Sequence, residues 1–256
     1  MPLLEVKNIC KEFGGLKAVN QVSLHVDEGE VVSIIGPNGA GKTTMFNLIT
    51  GAYTIDSGSI LFRGEEIANQ TPQEIVKRGI ARTFQNIKLC NHMRTIENVL
   101  VGMDTGLHYG LADILLRTPK FRRLEAEKHK QAVQILKAIG LGNRIHEYAG
   151  NLPYGERRKL EIARAIATGA QLLLLDEPAA GMNENESAEL MEFIALLRQT
   201  GYTILLIEHD MQVVMNISDR IYVLDYGSLI AKGVPDEIAE NPEVIKAYLG
   251  EDDVDA

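Results

Sequence analysis

The glycine-rich segment Gly36–Thr43, with the sequence GPNGAGKT, holds the clearest chemistry in this chain. Glycines let backbone N–H groups converge on phosphate oxygens, and a helix that starts directly behind them adds a favourable dipole. The segment follows the apolar run Val31–Ile35 and precedes a helical pattern, as a phosphate-binding loop requires. Lys42 is then expected to reach the β- and γ-phosphates of a nucleotide, and the Thr43 hydroxyl to ligate Mg²⁺. The residues assigned to nucleotide binding here are Gly36, Pro37, Asn38, Gly39, Ala40, Gly41, Lys42, Thr43 and Thr44.

Two adjacent carboxylates, Asp176 and Glu177, follow the apolar run Leu172–Leu175. Such a run is typical of a strand buried in a parallel sheet, and ligands of these sheets bind beyond the carboxyl ends of the strands. Placing two carboxylates there is costly unless a cation or solvent compensates. We expect Asp176 to hold Mg²⁺, directly or through water, and Glu177 to be the general base that polarises the attacking water. The alternative is a purely structural salt-bridge pair.

Strands and helices alternate along the chain in a way that predicts an α/β fold. Thr203–Ile207 and Ile221–Leu224 are further apolar runs of strand length, and helical patterns separate such runs, as at Leu190–Leu197. This alternation implies a parallel sheet with right-handed crossovers. Near the N-terminus, Leu3–Ile9 and Gln21–Val26 alternate apolar and polar residues, as half-buried antiparallel strands do. The prediction is a mainly parallel core of the P-loop NTPase (RecA-like) type with an N-terminal antiparallel β subdomain.

The middle of the chain has a different pattern. From about residue 86 to 167 no run of the buried-strand type appears, whereas helical periodicity is strong. One apolar stripe, which ends at Gly140, consists of Ala132, Val133, Ile135, Leu136 and Ile139. We predict a helical subdomain inserted into the core. Residues 1–250 then form a single domain, and 251–256 an acidic, solvated tail.

The composition narrows the class of protein. The formal net charge of −9 argues against nucleic acid as a partner, because it implies no basic surface that would release counterions. No apolar run approaches the roughly 18 residues that span a bilayer, and the N-terminus lacks the pattern of a secretory signal. Cys10 and Cys90 have no CxxC spacing, which favours reduced thiols in a cytosolic setting. The basic stretch Arg117–Lys130 is either a solvated helix face or a surface near anionic lipid headgroups or a membrane partner.

Over about residues 3 to 250, these features resemble the ATP-binding subunit of ABC transporters. The resemblance implies that Phe13 in KEFGG stacks on adenine, although an apolar anchor would have the same residue type. It implies that Gln85 in RTFQN contacts Mg²⁺ and the attacking water, and relays the nucleotide state to the membrane subunits. It also implies that His209 in LLIEHD contacts the γ-phosphate.

In this family a signature, usually LSGGQ, opens a helix that covers the nucleotide bound by the opposite subunit. The matching residues here are Leu152, Pro153, Tyr154, Gly155 and Glu156. Pro153, which the helix tolerates in its first turn, has neither a serine hydroxyl nor a backbone N–H to offer the γ-phosphate. The D-loop, usually SALD, is here Ala180, Gly181, Met182 and Asn183. We expect both departures to alter only what this chain gives its partner, so that a heterodimer has two unlike ATP sites.

The LPYGE form, with RTFQN, EPAAGMN, IEHDM and NPEVIKAYLG, is similar to one of the two ATPases of branched-chain amino acid importers. This similarity implies a Mg²⁺-dependent ATPase on the cytoplasmic face of the cytoplasmic membrane. Its partners would be two transmembrane permease subunits, a second and different ATPase, and, indirectly, an external solute-binding protein. The segment Ile87–Met93 would face a permease. Two alternatives remain open: a homodimeric exporter ATPase for lipid or lipopolysaccharide, and a soluble ABC ATPase of translation or DNA repair.

Overall fold

The computed structural model describes residues 2–103, 113 and 115–249, so the predicted acidic tail 251–256 lies outside the described residues. The strands are β1 (Leu4–Phe13), β2 (Leu16–Val26), β3 (Val31–Ile35), β4 (Ser57–Phe62), β5 (Glu65–Glu66), β6 (Ile80–Arg82), β7 (Leu172–Asp176), β8 (Thr203–Ile207), β9 (Arg220–Asp225) and β10 (Ser228–Gly233). The helices are α1 (Lys42–Ile49), α2 (Pro72–Arg78), α3 (Thr95–Met103), α4 (Pro119–Ala138), α5 (Tyr154–Ala167), α6 (Glu184–Gln199), α7 (Met211–Ile217), α8 (Pro235–Ala239) and α9 (Pro242–Leu249). None of these helices is both long enough and apolar enough to span a membrane.

A six-stranded sheet forms the core, in the order β10-β9-β3-β8-β7-β6. Neighbouring strands from β9 to β6 are parallel, and only β10 pairs antiparallel to its neighbour. Every residue of β3, β7 and β8 is buried, as their continuous apolar sequences predict. In register, Asp176 pairs with Ile207, and Ile207 pairs with Ile34. The loops that follow β3, β7 and β8 therefore emerge side by side.

The N-terminal strands form a separate antiparallel sheet in the order β2-β1-β4-β5. Strands β1 and β2 pair from Leu4 opposite Val26 to Phe13 opposite Leu16, so both are longer than the alternating pattern predicts. Gly14 and Gly15 have φ values of 55° and 89°, which permits the tight turn between them. The hairpin thus confirms the predicted antiparallel pair and extends it to Phe13.

Helices make up most of the described chain between β6 and β7, where an isolated bridge joins Arg94 to Tyr148. Ala132 and Leu136 of the predicted apolar stripe are fully buried, and α4 packs on α3 and α5. The basic side chains near the start of α4 are mostly exposed, as a solvated helix face requires. This arrangement supports the proposal of a helical insert.

Strand β6 was not predicted from the sequence, and neither were β4, β5 and β10. It has three residues, of which Ile80 and Ala81 are buried, and it pairs parallel to β7 at the edge of the sheet. A three-residue run is too short for periodicity to identify as a strand. Its consequence is large, because its last residue, Arg82, donates to Asp176, the last residue of β7.

Candidate functional site

The phosphate loop connects β3 to α1 and depends on two glycines. Gly36 has φ of 146°, and a Cβ there would lie 2.0 Å from the carbonyl oxygen of Leu224. Gly41 has φ of 98° just before α1, and a Cβ there would lie 2.4 Å from the carbonyl oxygen of Ala18. Larger residues at either position would displace neighbouring backbone. The backbone of the phosphate loop is therefore packed closely against the backbone of Leu224 and Ala18, just before α1 begins.

Lys42 folds back over this loop. Its Nζ donates to the carbonyl oxygens of Gly36 at 2.6 Å and Pro37 at 2.9 Å. Burial lowers the pKa of Lys42, while the charges of Glu177 and Asp176 raise it. The ammonium group therefore lies in a partly desolvated site beside two carboxylates. Phosphate oxygens could replace the two carbonyl oxygens as acceptors of its hydrogen bonds.

We expect Lys42→Ala to raise the Kd for ATP about tenfold to a hundredfold, because charge-assisted hydrogen bonds contribute about 1.5–3 kcal/mol. Titration calorimetry with ATP measures this change directly. Lys130→Ala, which removes an exposed lysine on α4, is the matched control and should leave the Kd unchanged. An unaltered Kd in Lys42→Ala would remove Lys42 from the binding site.

Asp176 is 5% exposed at the end of β7. Its Oδ2 accepts a hydrogen bond of 2.7 Å from Nη2 of Arg82, whose Nη1 donates to Asn47 at 2.6 Å. A cation from the neighbouring strand thus compensates this buried carboxylate, in line with the salt-bridge alternative for that position. Arg82 was not predicted as a site residue, because β6 is too short to be recognised as a strand from its sequence. Coordination of Mg²⁺ by Asp176 stays a proposal.

Glu177 adopts a left-handed backbone conformation, with φ of 44°, and its N–H donates to the carbonyl of Ile207 at 2.9 Å. Its Oε2 accepts from Nε2 of Gln85 at 2.6 Å and lies 3.7 Å from Nδ1 of His209. A positive φ is uncommon for glutamate, and such conformations cluster at functional sites. The structure thus brings together three predicted residues from three distant parts of the sequence.

Glu208, immediately after β8, was not predicted. It is fully buried, and it accepts hydrogen bonds from the backbone N–H of Ala179 at 2.8 Å and of His209 at 3.1 Å. Burial raises the pKa of Glu208 above its usual range. Its position after an apolar strand is the same signal that identified Asp176. Glu208 holds the chain at His209, whose side chain is largely exposed toward the site.

A cavity of about 380 Å³ lies in front of the phosphate loop. It is lined by residues 38–44 of the loop, by Glu177 and, from other elements, by Leu16, Lys17, Ala18, Tyr226 and Gly227. Phe13 is not in this lining. It lies at the tip of the neighbouring β1–β2 hairpin, 43% exposed, with its ring edge-on to Tyr53 at 5.3 Å between centroids. Stacking of Phe13 on adenine stays a proposal.

The signature and D-loop residues are not among the residues that line the cavity in front of the phosphate loop. They border another cavity, of about 180 Å³, whose lining includes Pro153, Gly155, Glu156 and Met182. Pro153 stands directly before α5, not in its first turn as predicted, and α5 begins at Tyr154. This placement leaves the helix intact, because Pro153 has no N–H to lose from a helical hydrogen bond.

Both unusual residues of these two loops have roles within the chain. The Tyr154 hydroxyl donates to the carbonyl of Ala180 at 2.9 Å. Asn183 caps α6, since its Oδ1 accepts from the N–H of Glu186 at 3.0 Å and its own N–H donates back to Glu186 at 3.2 Å. That these departures alter only what the chain gives its partner, and not its own phosphate loop, stays a prediction.

The predicted metal ligands fit a magnesium ion that arrives with a nucleotide. Within the described part of the chain, no group of three or more His, Cys, Asp or Glu side chains could hold a metal. Magnesium in nucleotide sites usually takes one or two carboxylates together with phosphates and water. Thr43 is exposed at the start of α1. Asp176 is the last residue of β7 and is followed by Glu177, which accepts a hydrogen bond from Gln85. The set Thr43, Gln85 and Asp176 matches that hard-oxygen chemistry.

Comparison with known proteins shows what this chain is similar to. Residues 19–180 match the family model described as "ABC transporter", and residues 228–254 match "Branched-chain amino acid ATP-binding cassette transporter". The chain is 51% identical over 251 residues to the high-affinity branched-chain amino acid transport ATP-binding protein LivG of Salmonella typhimurium, covering 98% of each. It is 48% identical to BraF of Pseudomonas aeruginosa, which carries the same description, with the same coverage. Among solved structures it is similar to the ADP conformation of an ATP-binding cassette of an ABC transporter, with a TM-score of 0.86, 34% identity, and coverage of 98% of this chain and 100% of the other.

Proposed function

Because the chain belongs to the family of ABC transporter ATP-binding proteins, we propose that it is the ATPase subunit of an importer of branched-chain amino acids. The two relatives named above have this transport activity in their descriptions, and the match at residues 228–254 belongs to the branched-chain group. These similarities favour the importer over both alternatives, the homodimeric exporter and the soluble ABC ATPase. Related hydrophobic amino acids remain within the proposed substrate class.

The observation that carries the proposed ATP hydrolysis is that the side chains of Gln85 and His209 both approach Glu177. In this proposal the phosphate loop and Lys42 bind the phosphates of ATP. Glu177 accepts a proton from the attacking water, and Gln85 orients that water. His209, which approaches the same Glu177 oxygen as Gln85, contacts the γ-phosphate. Hydrolysis yields ADP and phosphate and resets the transporter.

Magnesium would be held by Thr43, Gln85 and Asp176, and when bound it supplies positive charge that offsets the phosphate charge. The ion pair between Arg82 and Asp176 holds that carboxylate in position. Arg82 donates to Oδ2 of Asp176, so Oδ1 would be the oxygen available to the ion.

The proposed assembly has two permeases, this chain and a second ATPase, with an external binding protein acting indirectly on the cytoplasmic complex. The segment Ile87–Met93 supports a permease contact, because Lys88, Cys90 and His92 within it are exposed. It begins two residues after Gln85, so a permease docked there would lie next to the nucleotide site. In this assembly the chain would lie at the cytoplasmic face of the membrane.

Reconstitution of the complete complex in proteoliposomes tests the proposal. We expect binding protein loaded with leucine, isoleucine or valine to stimulate ATP hydrolysis severalfold and to drive solute uptake. Removal of Mg²⁺ with EDTA should abolish hydrolysis, and added Mg²⁺ should restore it. A pure homodimer of this chain that co-purifies with lipid-handling partners, and that no amino acid stimulates, would contradict the importer.

A further inference from the structure

Gln85 contacts two different parts of the molecule. Its side-chain Nε2 donates to Oε2 of Glu177 at 2.6 Å, and its backbone carbonyl accepts from Nη2 of Arg158 at 2.7 Å. Arg158 lies on α5, one turn after Tyr154. A displacement of Gln85 at the nucleotide site therefore acts on the signature helix through a direct hydrogen bond.

Arg158 is firmly held in place. It is fully buried, and its Nη1 donates to the carbonyl of Phe84 and to Oε2 of Glu161, both at 2.8 Å. Glu161 is also buried, and its Oε1 accepts from the backbone N–H of Lys88 at 3.0 Å. Disrupting one partner of a buried, hydrogen-bonded ion pair is strongly unfavourable. Helix α5 and residues 84–88 therefore form one hydrogen-bonded unit.

Tyr154 extends this unit to the D-loop, residues 180–183. Its hydroxyl lies 3.4 Å from Nη2 of Arg158 and donates to the carbonyl of Ala180 at 2.9 Å. The same oxygen lies 4.0 Å from the position that a Cβ on Gly181 would take. A glycine, the usual family residue at the position of Tyr154, has no side chain to make these contacts.

The chain next to the D-loop is also hydrogen-bonded to the segment that carries a catalytic residue. The N–H of Ala179, next to Ala180, donates to Glu208, and Glu208 also accepts from the N–H of His209. Gln85 and His209 both face Glu177. They are thus joined a second time, through α5, Tyr154 and the D-loop.

We propose that Tyr154 is a positioning residue whose hydroxyl links α5 to the D-loop, so that the nucleotide state at Gln85 reaches the surface that this chain gives to the second ATPase. The inference rests on the proposed function, since that surface acts only beside a second ATPase. The Tyr154 hydroxyl donates its hydrogen bond to an acceptor in its own chain, the carbonyl of Ala180. Its contribution is therefore to move the signature helix and the D-loop together.

Tyr154→Phe removes the hydroxyl alone. We expect it to lower kcat for solute-stimulated ATP hydrolysis by the assembled complex about threefold to tenfold, as the loss of one hydrogen bond allows, with KM for ATP unchanged. Tyr202→Phe is the matched control, because Tyr202 is half-buried and precedes β8 at the end of the sheet opposite the site. It should keep the wild-type kcat. An unchanged kcat in Tyr154→Phe would overturn the proposal.

A double-mutant cycle with Gln85→Ala separates coupling from local structure. Gln85→Ala removes the contact to Glu177 and leaves the backbone carbonyl bonded to Arg158. If the two side chains act in sequence, adding Tyr154→Phe should lower kcat less in the Gln85→Ala complex than in the wild type. Additive losses would show that Tyr154 acts independently and would overturn the proposal. Absence of solute stimulation in the wild-type complex would instead contradict the proposed function.

Discussion

Replacement of Glu177 by glutamine is expected to lower kcat for ATP hydrolysis about 10²- to 10⁴-fold while ATP binding is retained. General-base catalysis contributes about this much, and an amide cannot accept the proton of the attacking water. The glutamine keeps an oxygen that can accept from Gln85, whose Nε2 lies 2.6 Å from Glu177 Oε2, so the loop should keep its position. Phosphate release under single-turnover conditions measures the chemical step, and nucleotide titration measures binding.

Two comparisons sharpen this experiment. Glu192→Gln makes the same chemical change at an exposed position on α6 and should keep the wild-type rate. Replacing the equivalent glutamate of the second ATPase should lower the activity less. The ATP site that contains that glutamate is the one to which this chain contributes the altered signature. Unchanged phosphate release in Glu177→Gln would reject Glu177 as the base. Equal losses in the two subunits would show that the LPYGE form does not distinguish the sites.

The convergence of the phosphate loop with the carboxylate pair could be predicted from sequence for a physical reason. Parallel strands that are buried on both faces have continuous apolar sequences, and their carboxyl ends meet at one edge. Three segments have this pattern, so the residues that follow them had to lie close together. They are Val31–Ile35, Leu172–Leu175 and Thr203–Ile207. Sequence spacing alone could not give the 2.6 Å contact of Gln85, which follows the short edge strand β6.

The contacts of the signature helix could not be predicted in the same way. Arg158 and Glu161 are three residues apart on a helix, a spacing that usually describes an exposed ion pair. Their burial results from the packing of residues 84–88 across α5, which brings together residues more than seventy positions apart in sequence. Tyr154 appears in the sequence only as a departure from a glycine. Its hydrogen bond to Ala180 depends on the relative placement of two loops, which no local pattern encodes.

Replacement of Arg158 by methionine is expected to lower the free energy of unfolding by about 3–5 kcal/mol, the usual cost of breaking a buried ion pair. It leaves Glu161 charged in the interior, and it leaves the carbonyls of Phe84 and Gln85 without their donor. Urea denaturation followed by circular dichroism measures the change. Arg157→Met is the matched control. Within the described residues the side chain of Arg157 donates only to the exposed Asn91, so its loss should cost less than about 1 kcal/mol.

The double replacement Arg158→Met with Glu161→Met identifies the cause of that loss. Removing both charges eliminates the uncompensated carboxylate, so the double variant should be more stable than Arg158→Met alone. It should remain less stable than the wild type, because the backbone groups of Phe84, Gln85 and Lys88 stay unpaired. A double variant less stable than Arg158→Met would show that packing, and not the buried charge, determines the stability of α5 against this loop.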